Sequence, residues 1–265
     1  MTDTMAEEGI ALCCATFYQS DLVRALLGDV FHPGGLALTR YLGKCLELGS
    51  GDRVLDGACG RGASAVHLAE QFGCHVTGVD YGAENIAAAE AHAAEHRVAL
   101  LTTFRQGDTE GLPFEGGWFD ALISECSFCT FPHKARAAAE MARVLKPGGR
   151  LGLTDMTLNG SLPDDIQSLL AWVACVSGAG TPDDYRSALQ AVGFVDFRIE
   201  DRREALLEMV SDVRRKLLGV ELLAGLDGLD LGDVDLKEAK RVARRVDELI
   251  TDGEVGYTLM VARRA

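Results

Sequence analysis

The sequence has little positive charge, no long apolar run and no basic, apolar leader. Its 265 residues carry 26 lysines and arginines against 40 aspartates and glutamates, a formal net charge of −14. Binding to nucleic acid depends on clustered cations that displace counterions, so we expect no DNA or RNA partner. No stretch approaches the roughly 20 apolar residues that a membrane span needs, and the N-terminus is acidic. We therefore predict a cytoplasmic protein with no membrane partner.

Cysteine is plentiful, but the spacing that a zinc site needs is absent. The chain has eight cysteines, which in a reducing compartment are small buried residues or functional thiols before they are disulfides. Cys126 and Cys129 form a Cys-x-x-Cys pair. A four-ligand zinc site needs a second pair, and the only adjacent one is Cys13 with Cys14. We therefore predict no metal site.

The sequence also lacks a strict G-x-G-x-x-G fingerprint of pyrophosphate binders, although residues 54–62 come close to it. These residues form an apolar run that ends in Asp56 and then turns on glycines. A second apolar run, residues 76–80, follows a short helix and also ends in an acid. Gly60 and Gly62 let the backbone approach a ligand, since a side chain there would occupy the ligand's volume. The pattern predicts a βαβ unit that binds a nucleoside, with Asp56 suited to a cationic group.

Strand and helix patterns alternate along the rest of the chain. Strands are predicted at residues 54–57, 74–80, 99–106, 119–124, 152–156, 194–201 and 256–262. Helices are predicted at residues 36–48, 63–72, 83–95, 134–146, 163–176 and 182–192, with two more between 206 and 249. This order predicts an α/β fold with a doubly wound, mainly parallel, Rossmann-like sheet of seven strands. Ligands of such sheets bind at the carboxyl ends of the strands. The polar residues that fall there are Asp56, Asp80, Asp108 and Ser124.

The motifs between residues 53 and 157 resemble those of class I S-adenosylmethionine (SAM)-dependent methyltransferases. The matching segments are residues 54–62, 76–80, 107–114, 119–124 and 143–150. The first motif of that family reads roughly D-x-G-C-G-x-G, and here Ala58 stands in place of its first glycine. The resemblance implies SAM as the cofactor. It implies a cofactor site made of Asp56, Gly57, Ala58, Gly60, Gly62, Asp80, Tyr81, Gly107, Asp108, Thr109 and Ser124.

Two of these acids have predicted partners on the cofactor. A carboxylate has two acceptor oxygens and the ribose diol has two donors, so we expect Asp80 to accept both hydroxyls. Asp108 resembles the acceptor that the family provides for the adenine amine. The backbone of Gly107 and Thr109 is expected around the adenine ring.

The resemblance implies that the methyl acceptor lies beside residues 125–133, which follow the fourth strand. The possible bases are His32, Glu125 and His133, and the nearby thiols are those of Cys126 and Cys129. An acceptor that is already a soft anion would need no strong base. The rate of transfer then comes mainly from alignment and from the exclusion of water.

A second resemblance, over residues 161–194, is to the arsenite methyltransferases, in a group that includes ubiquinone- and menaquinone-type methyltransferases. In the arsenite family a cysteine at the position of Cys175 binds arsenic(III), and an N-terminal segment that contains cysteine corresponds to Cys13 and Cys14. Those enzymes use a further cysteine toward the C-terminus. No cysteine follows Cys175 here, so another thiol would have to complete a three-thiolate site.

Several acceptors therefore stay open at this point. The preferred one is arsenite, and the alternatives are a thiol or sulfide, a carbon or oxygen atom of a small metabolite, and a SAM-binding regulatory protein without activity. The candidate catalytic residues are Cys14, His32, Cys126 and Cys175, and the possible arsenic ligands are Cys14, Cys126, Cys129 and Cys175.

The domain organisation is expected to be simple. Residues 1–50 are predicted to form a helical cap segment, and residues 51–265 the methyltransferase domain. An insertion of two amphipathic helices, at about residues 203–252, leaves the sixth strand at the ligand edge, where it could cover a small acceptor as a lid. We expect a small-molecule substrate and a monomer or homodimer.

Overall fold

A computed structural model of the protein describes residues 30, 32–161, 176, 178–227 and 236–265. The strands in these ranges are β1 (Arg53–Gly57), β2 (His75–Asp80), β3 (Thr102–Gln106), β4 (Phe119–Glu125), β5 (Leu145–Leu158), β6 (Phe194–Asp201) and β7 (Val255–Arg264). The helices are α1 (Gly35–Cys45), α2 (Ala63–Phe72), α3 (Ala83–Glu95), α4 (Lys134–Val144), α5 (Pro182–Gln190), α6 (Arg203–Asp227) and α7 (Leu236–Thr251). Two short 3₁₀ turns lie at Thr109–Gly111 and Phe128–Thr130.

The seven strands form one sheet in the order β3-β2-β1-β4-β5-β7-β6. The pairs among β1 to β5 are parallel, while β7 runs antiparallel to both β5 and β6. The first five strands and β6 therefore point the same way, and their carboxyl ends share one edge of the sheet. The predicted doubly wound, mainly parallel sheet is confirmed.

The fifth strand differs most from its predicted bounds. It starts at Leu145 rather than at residue 152, but its pairing with β4 jumps from Leu145 to Arg150. The intervening residues 146–149, which include Gly148 with a φ of 75°, have no partners on β4. Residues 150–158 pair continuously with β7. This long antiparallel pairing extends β5 past the residue at which its apolar run suggested an end.

The helix that precedes the first strand, α1, packs against both the sheet and α2. A Cβ atom placed on Gly152 of β5 would lie 2.8 Å from Leu42 Cδ1. One placed on Gly43 would lie 2.5 Å from the ring of Phe72. Both glycines thus allow close approach of backbone to side chains. Most of the predicted helix at 163–176 and all of residues 1–29 lie outside the described residues.

The helices α6 and α7 pack on each other and on β7. Their buried apolar side chains include Leu206, Val210, Leu217, Val242, Val246 and Leu249. Helix α6 begins directly after β6, at the carboxyl edge of the sheet. No helix in the described ranges is both long enough and apolar enough to cross a membrane.

Candidate cofactor and methyl-acceptor site

Asp56, at the end of β1, carries a buried carboxylate that lacks a full set of partners. The residue is 2% exposed, and its Oδ2 atom has no hydrogen-bond partner among the described residues. Burial and the nearby carboxylates of Glu125 and Asp80 raise the pKa of Asp56 well above its usual range. A hydrogen bond from the backbone N–H of Ala65 lowers this pKa, but by less. A buried, incompletely paired carboxylate is stabilised by a cation. This oxygen therefore suits a cationic partner, and its assignment to the ammonium group of SAM stays a prediction.

Asp80, at the end of β2, is already hydrogen-bonded on both oxygens. Its Oδ2 accepts from Gly60 N at 2.8 Å, and its Oδ1 accepts from Gly82 N and Asn85 Nδ2, both at 2.9 Å. An ionised carboxylate has about four lone-pair sites, so about one remains. These three donors leave about one acceptor position of Asp80 open, and its assignment to the ribose hydroxyls stays a prediction.

Gly60 and Gly62 of the first motif have different structural roles. A Cβ atom on Gly60 would meet nothing within 4 Å, so the space beside it is open to a ligand. At Gly62 a Cβ atom would lie 2.7 Å from Ala89 Cβ and 3.0 Å from the ring of Phe104. Our reason for Gly62 was wrong, because it makes room for protein side chains and not for the ligand. Ala58, which replaces the family's first glycine, adopts φ 59°.

The predicted adenine contacts follow β2 and β3. The backbone N–H of Gly107 donates to Asp80 O at 2.9 Å, which draws the two strand ends together. Asp108 caps the turn behind it, since its Oδ1 accepts from Glu110 N at 2.8 Å. Thr109 is buried, and Tyr81 is 50% exposed. Their assignment to the adenosine of SAM stays a prediction.

His32 lies beside Glu125, the last residue of β4. The imidazole Nε2 is 3.7 Å from Glu125 Oε2, and the side chains of His32 and Glu125 are 8% and 3% exposed. Glu125 Oε2 also accepts from Ser64 Oγ at 2.6 Å and from Thr39 Oγ1 at 2.9 Å. Ser64 Oγ lies 3.4 Å from His32 Nε2, and Thr39 Oγ1 lies 3.3 Å from it. Because Nε2 faces Glu125 and the two hydroxyls, the nitrogen left to accept a proton is Nδ1, which lies 3.4 Å from Pro33 O. The carboxylate of Glu125 would stabilise the resulting charge.

Sequence reasoning found His32 but missed the side chains that hold its partner. Thr39 and Ser64 lie on α1 and α2, and Thr154 Oγ1 donates to Glu125 Oε1 at 3.4 Å from β5. A single hydroxyl on a helix or strand has no periodic signature, so its convergence on Glu125 depends on tertiary packing. Neighbouring Ser124 is fully buried, and its Oγ lies 2.5 Å from Ser127 Oγ. Ser124 therefore contacts the segment after β4, and its assignment to the cofactor site stays a prediction.

The cysteines after β4 are partly or fully enclosed. Cys126 is half-buried with φ 53°, and Cys129 is fully buried. Burial, and then the charge of Asp155, raise the pKa of both thiols well above the usual range, so both are protonated at neutral pH. In the described part of the chain no group of three His, Cys, Asp or Glu side chains could hold a metal ion. The candidate ligands Cys14 and Cys175, like Cys13, lie outside the described residues.

Comparisons with known proteins agree with these features. Residues 48–193 match a family model described as a methyltransferase domain. The arsenite methyltransferase of Aquipseudomonas alcaligenes is 32% identical over 245 residues, which are 86% of this chain and 70% of that protein. The sarcosine/dimethylglycine N-methyltransferase of Halorhodospira halochloris is 28% identical over 211 residues, 80% of this chain and 74% of that protein.

A solved structure shows the same fold. The geranyl diphosphate C-methyltransferase from Streptomyces coelicolor A3(2), in complex with S-adenosyl-L-homocysteine, superposes with a TM-score of 0.70. The two sequences are 23% identical, and the match covers 86% of this chain and 76% of that one.

Proposed function

From the premise that this chain belongs to the methyltransferase-domain family and is a class I SAM-dependent enzyme, we propose that it methylates a nitrogen or oxygen atom of a small molecule, with His32 as the base. The observation that carries the proposal is the His32–Glu125 pair. The two side chains lie 3.7 Å apart at the cofactor edge and are almost fully shielded from solvent. A soft anionic acceptor would need no such pair.

The cofactor would be held by residues that the fold has already brought together. When bound, SAM supplies an electrophilic methyl group on a sulfonium. Asp56 would pair its free oxygen with the ammonium group, and Asp80 would accept one ribose hydroxyl. Asp108 would accept from the adenine amine. Gly60 leaves space for the ligand beside the loop.

His32 and Glu125 would then prepare the acceptor. His32 would take a proton from the acceptor's hydroxyl or ammonium group, which would leave a lone pair on that atom free to take the methyl group that SAM supplies. His32 would later release its proton to water. Glu125 stabilises the imidazolium in a region of low dielectric constant. Thr39 and Ser64 keep Glu125 in place by donating to its Oε2.

Arsenite is the second candidate acceptor. It is supported by the 32% identity with a relative named arsenite methyltransferase, and by Cys126 and Cys129 next to Glu125. Such a site also requires Cys175 or Cys14 to approach these thiols. Sulfide or another thiol would use the same edge and would need fewer ligands.

Residues outside the sheet would complete the site. We propose that residues 1–50 act as a cap segment and that α6 and α7, within residues 203–252, act as a lid. A Cβ atom on Gly34, two residues after His32, would lie 3.4 Å from Ala205 Cβ, so the start of α6 adjoins the turn that carries the base. The lid would thus begin beside the acceptor.

One acceptor panel tests the proposal. The purified enzyme is incubated with SAM and, separately, sarcosine, catechol, arsenite and sulfide, and S-adenosylhomocysteine is measured by mass spectrometry. We expect the highest rate with sarcosine or catechol, over a background measured without acceptor. Turnover of arsenite or sulfide alone would replace the proton-bearing acceptor with a soft one.

A further inference from the structure

Asp155 of β5 is a buried carboxylate that none of the preceding steps uses. It is 2% exposed, and burial raises its pKa to about 6. At neutral pH it is therefore ionised inside the protein, which is costly unless donors surround it. Its Oδ1 accepts from Met156 N at 2.7 Å, and its Oδ2 accepts from Ser127 N at 3.2 Å and from Cys129 N at 3.1 Å.

Two of these three donors belong to the acceptor loop, by which we mean residues 126–130. This loop starts directly after Glu125 at the carboxyl edge of the sheet. Its first residue, Cys126, has φ 53°, a left-handed conformation that non-glycine residues rarely adopt. Strained backbone persists only where its surroundings enforce it, and it is concentrated at functional sites.

Other contacts hold the loop from the sides that Asp155 does not reach. Cys126 N donates to Thr154 O at 2.6 Å, and Lys134 Nζ donates to Cys129 O at 2.9 Å. Gly178 lies close to the same carbonyl, since a Cβ atom on it would be 2.2 Å from Cys129 O. The loop thus lies between the carboxylate of Asp155 and the backbone of Gly178.

We infer that Asp155 is a positioning residue for methyl transfer, which fixes the acceptor loop through the backbone N–H groups of Ser127 and Cys129. The inference rests on the proposed placement of the acceptor beside Glu125. It assigns Asp155 no contact with the substrate. Its effect is on the alignment of the acceptor, because a displacement of about 1 Å at a reacting centre can cost about a hundredfold in rate.

The first test is Asp155→Asn, which keeps the shape of the side chain but replaces one carboxylate oxygen with an amide NH₂ group, which cannot accept from a backbone N–H. We expect the amides of Ser127 and Cys129 to exchange about tenfold faster, because a backbone N–H loses its acceptor. The Kd for SAM should stay within about twofold. With sarcosine, catechol or arsenite, whichever the wild type methylates fastest, kcat should fall at least tenfold, more than KM changes. Thr157→Val is the matched control, because it removes a buried polar group from the same strand two residues away.

Gly178→Ala tests the inference from the opposite side without altering Asp155. The added methyl group must displace the Cys129 carbonyl, so the same rise in loop exchange and loss of kcat are expected. Unchanged loop exchange in Asp155→Asn, or a loosened loop with wild-type kcat in either variant, would overturn the assignment. His32→Gln separates the two proposals. If it reacts at the wild-type rate while Asp155→Asn is slow, the base is wrong and the positioning role stands.

Discussion

Asp56 and Asp80 end neighbouring strands with the same side chain, yet their surroundings give them different tasks. Asp80 receives three N–H donors and shapes the glycine loop, whereas Asp56 keeps one buried oxygen without a partner among the described residues. Polar atoms that are buried without a partner cost free energy in the unliganded protein. A cationic ligand that pairs with Asp56 recovers that cost, so binding strength and unliganded stability are opposed at this residue.

Asp56→Asn should therefore stabilise the unliganded protein and weaken cofactor binding. The folded-state pKa of Asp56 lies above its unfolded value, so ionisation makes folding less favourable as the pH rises. Asparagine does not ionise, so the variant avoids this loss of stability and its Tm at pH 7 should be higher than that of the wild type. The difference in Tm should shrink as the pH falls toward the usual pKa of aspartate. The Kd for SAM, measured by calorimetry, should increase at least tenfold, because about 1.5–3 kcal/mol of charged pairing is lost. The variant Glu115→Gln, which removes a charge from an exposed loop, should change neither quantity. Wild-type affinity in Asp56→Asn would remove Asp56 from the site.

Ala58→Gly should stabilise the protein. The left-handed backbone at φ 59° costs an L-residue about 1–2 kcal/mol in the folded state, and glycine removes that cost. Part of the gain is lost because glycine gives the unfolded chain more conformational freedom. We expect the free energy of unfolding in urea to rise by about 0.5–1 kcal/mol. The same change at Ala87, an exposed position within α3, should cost about 1 kcal/mol. Equal destabilisation by both changes would mean that the loop relaxes around Ala58 without strain.

At the scale of elements, hydrophobic periodicity predicted the succession of strands and helices along the chain and most of their bounds to within a few residues. The strand at residues 194–201 and the helices at 63–72 and 83–95 were predicted at the residues where they occur. Their patterns are local, so the sequence alone carries them. The second half of β5 depends on pairing with β7, about a hundred residues away, and a local pattern contains no such information.

The residues of the candidate site likewise divide into those whose placement could be predicted from the sequence and those whose contacts form only in the folded chain. Asp80 and Asp108 could be predicted because they stand at strand ends within recognisable motifs. The different tasks of Gly60 and Gly62 could not, since Phe104 and Ala89 meet Gly62 only in the folded chain. Asp155 looked like one more acid in a strand, and its role depends on two amides from a distant segment.

If α6 and α7 form a lid, ligands should slow hydrogen exchange in both helices. Their contact is apolar, and the Arg214–Asp247 pair between them is partly exposed, at 3.2 Å. Elements of this kind open at a lower free energy than the sheet, and a ligand beneath them raises that free energy. SAM together with the best acceptor should slow exchange severalfold in Arg203–Asp227 and Leu236–Thr251, with little change in α5. Identical exchange with and without ligands would make the two helices a fixed extension of the domain.

At the scale of the whole molecule, the charge of −14 sets the response to salt. Excess negative charge repels itself more in the compact state than in the unfolded chain. Raising NaCl from about 0.01 M to about 1 M shortens the Debye length from about 30 Å to about 3 Å, so the repulsion is screened. We expect the Tm to rise by a few degrees in a scanning fluorimetry series. A steady fall would show that local ion pairs, such as Arg150–Asp52 at 2.7 Å, outweigh the net repulsion.

Single-turnover methyl transfer by His32→Gln tests the proposed function most directly. The enzyme, in excess over SAM, is mixed with the best acceptor of the panel, and S-adenosylhomocysteine is followed over time. His96→Gln is the matched control, because His96 also pairs with a glutamate, Glu70, at 2.8 Å, but on the surface. Loss of a general base should slow His32→Gln by about 10² to 10⁴-fold with an unchanged Kd for SAM, while His96→Gln reacts like the wild type. A His32→Gln rate within about threefold of the wild type, well below the smallest loss expected for a general base, would contradict the proposal.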